Sequence, residues 1–385
     1  MLSKISNAIK NQFESAKQLG SANEKLLSID IGFRNIKLAE VEVYNERELF
    51  LKNFGITPTP KDCIKNGEIS DVEEIKSRIF KVLTENDIKT RNTKIVMSGT
   101  SIITRIFMVE LNPGKSKEVC IQEHISEFMP VDSEKYQMDY KVLQEKTEEG
   151  RTTVKVFVSA VRKSIIDSYV QVLKGLNLIP VSIDIPSNSI AKFFNREINV
   201  DREKNRPSPG VSRKPRDKEV VAVIDFGSET TIINILKNKI LEFNKVILLG
   251  SSNIDDAVAD KLKIDLIRAE NNKKVFGVVE PDIHSTDEQT SVYGEVKTVV
   301  DKIIKQIEVC FQFYETKCFG EKVDKIFIIG GGSLLKGLGN YLEAYLDIPV
   351  YSISLLSIDG LKIADQLDSE KLSFLINSVG ITLKV

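Results

Sequence analysis

The chain has 385 residues, 42% of them hydrophobic, which is enough apolar material for two or more packed domains. Its 54 basic and 55 acidic residues leave a formal charge of −1 and exclude a broad electrostatic grip on nucleic acid. Cys63, Cys120, Cys310 and Cys318 show no C-x-x-C spacing, and His124 and His284 are the only histidines, so a disulfide framework, a zinc site and a Ser–His–Asp triad are disfavoured. No apolar run approaches the roughly 18 residues of a membrane span, and no cleavable leader opens the chain, so a soluble protein of a reducing compartment is expected.

Residues 1 to about 24 are predicted to form a short amphipathic helix. Leu2, Ile5, Ile9, Phe13 and Ala16 recur every three or four residues, with Lys4, Lys10 and Lys17 for the polar side. A helix packed on its own domain, or a tail, is favoured over a membrane-surface or partner contact. The next stretch, KLLSIDIGFRNIKLAEVE at 25–42, reads as two strands around a tight bend, with Asp30 mid-strand and Gly32 at the turn. Aspartate is depleted in strands and costly to bury alone, so Asp30 needs a reason. MSGTS at 97–101 is a strand-end turn without nucleophile context. NPGKSKE at 112–118 carries a G-K-S, but Val109 stands where a phosphate-binding loop needs its first glycine and Pro113 removes an N–H, so it is a turn leading into a helix.

Residues 199–219 hold three prolines, many charges and almost nothing apolar, and are predicted to be a flexible linker dividing the chain into halves. Beyond it, VVAVIDFGSETTIINIL at 220–236 repeats the opening pattern, with Asp225 in the place of Asp30 and Gly227 in that of Gly32. The fold is therefore expected to be internally duplicated. A third glycine element, DKIFIIGGGSLLKGLGNYLEAYLDIPV at 324–350, runs a buried strand into Gly330, Gly331 and Gly332 and then a helix.

Glycines at such turns let backbone N–H groups approach phosphate oxygens closely. Carboxylates do not face phosphate unaided, but a hydrated Mg²⁺ between them does, since it keeps its waters and needs only one or two carboxylates. Asp30 would then be an ionised acid at the mouth of a cleft, opposite Asp225. Lys37, seven residues after Asp30 on the return strand, could direct its ammonium to a phosphate.

Asp30-Ile-Gly32…Lys37, Asp225-Phe-Gly227-Ser-Glu-Thr-Thr231 and Gly330-Gly-Gly-Ser333…Gly337 resemble the phosphate-1, phosphate-2 and adenosine motifs of the actin/Hsp70/sugar-kinase ATPases. Within that superfamily the chain is most similar to the PilM family of type IV pilus assembly proteins, related to the cell-division protein FtsA. The most particular stretches are residues 109–143, VELNPGKSKEVCIQEHISEFMPVDSEKYQMDYKVL, and the VFVSAVRKSIIDSYVQVLKGLNLIPVSIDIPSNSIAKFF that follows after a short break. LGSSNIDDAVADKLKIDLIRAENNKK resembles the family's post-phosphate-2 segment.

The resemblance implies an α/β, duplicated actin-like (ribonuclease H-like) ATPase fold, with two lobes around a nucleotide cleft and an inserted α+β subdomain. Lobe one would take residues 26–100 with 181–200 and 368–385, and the insertion 101–180. Lobe two would take 220–244 with 301–367, carrying a subdomain at 245–300; 1–25 and 201–219 are the tail and linker. ATP and Mg²⁺ are the implied cofactors. Asp30, Gly32, Lys37, Asp225, Gly227, Ser228 and Thr230 would face the phosphates, with Asp30 and Asp225 meeting the metal through water. Gly331, Gly332, Lys336, Glu270 and Lys273 would approach the nucleoside.

The implied partner is the cytoplasmic N-terminal segment of the inner-membrane protein PilN, held by residues of roughly 100–180. Other pilus platform and motor proteins and self-association are further family expectations, with the protein cytoplasmic and peripheral to the inner membrane through its partners. Two positions depart from the family pattern: Phe33 and Arg34 follow Gly32 where small residues are usual, and no Glu or Gln stands near Asp184 to orient water. Asp184 is thus the one weak catalytic candidate, and slow hydrolysis or nucleotide-gated binding is expected. The alternatives are an FtsA-like membrane-associated filament former, disfavoured because LINSVGITLKV reads as a returning helix without an appended tail, and a small-molecule kinase, disfavoured by the lack of a substrate-facing acid.

Overall fold

A computed structural model describes residues 24–45, 48–196, 198–200, 219–353, 356–358, 360–364 and 369–383. The predicted N-terminal helix and nearly all of the predicted linker lie outside these residues. The chain divides into two compact units, one within Met1–Asn195, Gly360–Asp365 and Asn377–Val385, the other within Arg196–Asp359 and Gln366–Ile376.

In the first unit β1 (Glu24–Ile31), β2 (Asn35–Val43) and β3 (Leu49–Pro58) form an antiparallel meander. Leu27, Ile29 and Ile31 enter one core, while the strand's period of two sends Ser28 and Asp30 to the opposite face. A small hairpin, β4 (Ile64–Lys65) with β5 (Glu68–Ile69), leads to helix Val72–Glu85. Asp71 starts that helix by accepting from the Glu74 N–H, and Ile75, Ile79, Val82 and Leu83 form its buried stripe. β6 (Asn92–Met97) then joins β1 in parallel.

Between β6 and its next neighbour the chain builds a separate three-stranded layer from β7 (Ile103–Glu110), β8 (Tyr136–Glu148) and β9 (Arg151–Arg162), in the order β7-β9-β8. Helix Lys117–Phe128, capped by Ser116, covers it through Cys120, Ile121 and Ile125, which pack with Val109, Val154, Val156 and Val158. The Pro113–Gly114 turn precedes that cap, with Gly114 at φ +84°. Helix Lys163–Gly175 returns Ile165, Ile166, Tyr169 and Leu173 to the first core. β10 (Ile179–Asp184) closes the parallel side on β6.

The second unit repeats the plan. β12 (Val220–Phe226), β13 (Thr231–Lys237) and β14 (Ile240–Ile247) form the meander, and β15 (Lys325–Ile329) and β16 (Val350–Ser352) extend it in parallel. Sheet order is β14-β13-β12-β15-β16 here and β10-β6-β1-β2-β3-β18 in the first unit, where β18 (Leu361–Ile363) lies beside β3. Outside these sheets β11 (Ile198–Val200) pairs with β17 (Leu356–Ile358), so the first residues of the predicted linker form a strand instead. Helices Ser251–Leu262, Leu266–Phe276 and the 31-residue Asp287–Lys317 complete the unit. The last begins with a reciprocal Thr286–Gln289 cap and buries Val292, Val296, Val299, Val300, Ile303, Ile304 and Ile307 on β12 and β15.

The second face of β6 is covered by helix Pro186–Phe194 and the end of the closing helix, Ser369–Thr382. Lys94 donates to the carbonyls of Ile381 and Thr382, placing a cation at that helix's negative end. The two helices cross so closely that a Cβ on Gly380 would collide with the Ser189 carbonyl. Gly380→Ala is therefore expected to lower stability by about 1–3 kcal/mol, as a smaller urea midpoint at unchanged m-value.

Candidate functional site

In the first hairpin Asp30 and Lys37 are direct cross-strand partners, and the Lys37 ammonium reaches Asp30 Oδ2 at 3.0 Å. Asp30 is 1% exposed, so it is a buried acid and not the open one expected at a cleft mouth. Its other oxygen, Oδ1, is buried without a hydrogen-bond partner among the described residues. A buried carboxylate oxygen in that condition calls for a bound water, ion or ligand. The Gly32 N–H closes the bend on the Asn35 carbonyl, and Thr59 straps it from outside through its hydroxyl to Gly32 O at 2.6 Å and its N–H to Arg34 O. A Cβ on Gly32 would stand 2.9 Å from Lys37 Nζ. Phe33 is half-buried and Arg34 exposed.

Asp184 ends β10 level with Val96 on β6, as Asp30 does from the other side. The two acids are one strand apart, about 10 Å from the usual strand spacing. Asp184 accepts from the Ile185 N–H, from Asn188 Nδ2 at 2.6 Å and from Lys192 Nζ at 2.9 Å. Burial pushes its carboxyl up, but the Lys192 ammonium and these donors outweigh it and hold the group below its usual value. Both oxygens accept hydrogen bonds, so Asp184 ties β10 to helix Pro186–Phe194. Lys141, on β8, joins this group: burial, helped by repulsion from Lys192 and resisted by Asp184, pushes its ammonium down to about 8.

The second hairpin has the same bend, with the Gly227 N–H on the Thr230 carbonyl, but Ile232 takes the place opposite Asp225 that Lys37 takes opposite Asp30. Asp225 is buried, and Gly330, held at φ +81°, lies against it so closely that a Cβ there would strike Asp225 Oδ1. Gly331–Leu334 is a single 3-10 turn, and the expected helix starts only at Leu338. A Cβ on Gly332 would stand 2.9 Å from Phe226 Cβ, while Gly331 is exposed beside the Phe374 ring.

The hairpin also holds the start of helix Ser251–Leu262. Ser251 N–H donates to Gly227 O, and the Ser252 N–H and hydroxyl both donate to Ser228 O. Lys273 donates to Ser251 O at 3.0 Å and pairs with Asp255 at 2.7 Å, whereas Glu270 pairs with Lys274. Lys336 is exposed, and its carbonyl accepts from the Val278 N–H just beyond the Lys273 helix.

The second unit thus brings Asp225, Gly227, Ser228, Thr230, Gly331 and Gly332 into one hairpin-and-turn assembly, with Lys273 linked through Ser251. Glu270 sits on the same helix as Lys273 but on a different partner. Sequence reasoning does not reach Ser251, Ser252, Asp255, Asn188, Lys192 and Lys141. Only Asn188 and Lys192, at i+4 and i+8 from Asp184, have a readable spacing.

Two meanders, each extended by parallel strands at a glycine hairpin that carries an acid, define an actin-like fold. The structure is similar to that of a PilM–PilN type IV pilus biogenesis complex, at 21% identity and a TM-score of 0.74, with 94% of this chain and 98% of that chain covered. It is also similar to the ethanolamine utilization protein EutJ from Carboxydothermus hydrogenoformans, at 11% identity and a TM-score of 0.51 over 97% and 98% of the two chains. Against a MamK double helical filament the values are 10% and 0.52, over 94% of this chain and all (100%) of that one. A family model described as type IV pilus assembly protein PilM matches residues 28–383, and the chain belongs to that family.

Lys37→Met leaves a buried carboxylate unpaired and should cost about 3–5 kcal/mol in urea unfolding, much of it regained by adding Asp30→Asn. An unfolded lysine keeps its proton to about 10.5 and folded Lys141 only to about 8, so the chain binds more protons unfolded and stability rises with pH across that interval. Lys141→Met should abolish that rise and increase the melting temperature at pH 7.

Proposed function

We propose that the protein is an ATP-binding adaptor of type IV pilus assembly that holds the cytoplasmic N-terminal segment of a PilN-like inner-membrane protein and links it to the pilus machinery. The observation that carries the reading is the match to the PilM family over 28–383, joined to two hairpins that each end a buried strand in an aspartate and a glycine. The solved relative at 21% identity is a PilM–PilN complex, which supports the choice of partner.

The residues present fit a nucleotide with its metal. Asp30 Oδ1 lacks a hydrogen-bond partner among the described residues, and the Gly32, Gly227 and Gly330 bends have no room for a Cβ. Asp30 and Asp225 would meet Mg²⁺ through its water shell, and the ion would neutralise phosphate charge. The Gly32, Gly227, Ser228 and Thr230 bends would offer N–H and hydroxyl donors to phosphate oxygens. Gly331, Gly332, Lys336, Glu270 and Lys273 would approach the nucleoside. Lys37 pairs with Asp30 and has its ammonium ready for phosphate once ligand arrives.

With Asp184 accepting from three donors and no Glu or Gln beside it, hydrolysis is at most slow and the nucleotide acts chiefly by occupancy. It sets the orientation of the two units and through it the affinity for the peptide, because a ligand shifts a conformational equilibrium only by its differential affinity for the two states. The peptide groove is drawn from residues of roughly 100–180, and membrane association is through the partner. Among the described residues no helix is long and apolar enough to cross a membrane.

Isothermal titration tests both parts. Asp225→Ala should weaken Mg²⁺-dependent ATP binding by at least about tenfold while the melting curve without nucleotide stays cooperative. Unchanged affinity would refute the metal-facing role. A PilN N-terminal peptide should bind the full chain with an affinity that differs between ATP and nucleotide-free protein.

A further inference from the structure

At the opposite end of β12 and β15 from the Asp225–Gly330 turn lies a groove of about 1040 Å³, entirely within the second unit. β12 spans Val220–Phe226, so Val220 on the groove wall is roughly 17 Å from Asp225 at the usual rise per residue. The apolar lining comes from Phe311, Phe319, Tyr345, Leu346 and Ile348. The polar lining is one-sided: Glu308, Glu315, Glu321, Asp324 and Asp347 face a single cation, Lys322. Glu315 reaches Lys322 at 3.6 Å, Glu321 pairs with Lys237 outside the groove, and Asp324 Oδ2 caps the Val220 N–H. Among the described residues Glu308 and Asp347 have no ion-pair partner.

One backbone outlier marks the rim. Phe319, at φ 55°, sits in the left-handed region that a bulky side chain enters only at a cost of about 1–2 kcal/mol. Phe319 is 100% exposed, so its ring contributes nothing to the core that would repay the strain. The exposed ring and two carboxylates without an ion-pair partner among the described residues give the groove a mixed apolar and acidic rim.

We infer that this groove docks a short basic, amphipathic segment of a partner protein. Its arginine or lysine heads pair with Glu308 and Asp347, and its aliphatic stems and apolar residues lie on Phe311, Phe319 and Tyr345. Charge complementarity selects the occupant, because an acidic or neutral segment would leave the Glu308 and Asp347 carboxylates desolvated and unpaired. Aromatic faces also attract cations directly. The groove shares no lining residue with the Asp225–Gly330 turn, so it is tested without nucleotide or the PilN segment.

The probe is a fluorescent synthetic peptide of alternating arginine and leucine, compared with a glutamate-for-arginine counterpart by anisotropy on the full chain. The expected result is saturable binding of the arginine peptide only, weakened by about tenfold or more in Phe319→Asn and in the Glu308→Gln, Asp347→Asn double variant. Asparagine tolerates the left-handed backbone, so these variants should unfold like the unaltered chain. Equal binding by the variants, equal binding of the acidic peptide, or no binding overturns the inference. Concentration-dependent self-association in sedimentation velocity that Phe319→Asn abolishes assigns the groove to a second copy and also overturns it. Peptide binding seen only after residues 201–218 are replaced by a Gly-Ser stretch assigns the groove to the chain's own basic segment, and overturns it as well.

Discussion

A carboxylate at the end of a strand buried on both faces is costly without a partner, and the Asp30–Lys37 pair is where the first unit meets that demand. The cross-strand register places the lysine opposite the acid, the Gly32 bend sets the register, and Thr59 holds the bend from outside. One oxygen of Asp30 is neutralised and the other left open. The hairpin is in this sense a charged tip half completed by the protein.

The duplicated hairpin solves the same problem differently. Ile232 stands opposite Asp225, and the acid is instead packed against the Gly330 backbone, where only hydrogen fits. The strand plan repeats between the units while the residue opposite the acid does not. What surrounds each hairpin differs too. The first has a second anchored acid, Asp184, across β6, while the second has the start of helix Ser251–Leu262 fastened to its Gly227 and Ser228 carbonyls.

The duplicated α/β fold is legible in the sequence because its signals are local. Apolar strands, a D-x-G bend and a return strand occur twice, and a strand running into three glycines occurs once. The 3-10 turn at Gly331–Leu334 is not legible, since glycines before an apolar run do not distinguish one turn from several. Nor is the burial of Asp30, which depends on strands and helices far away in sequence, including β6 and the closing helix. The Lys273–Asp255 and Lys192–Asp184 pairs illustrate the limit: the first joins two helices whose crossing no spacing encodes, and the second follows a helical period that the sequence does display.

Helix Asp287–Lys317 is about 46 Å long at the usual rise per residue and belongs to one unit throughout. Near its start Glu288 is tied to Asn272 of the Lys273 helix; just past its end the chain turns through Phe319. Its backbone hydrogen bonds run along the axis and its apolar stripe is fixed to β12 and β15. It is therefore a stiff rod, so within the second unit the Phe319 turn and the Lys273 helix lie at the two ends of one rigid element.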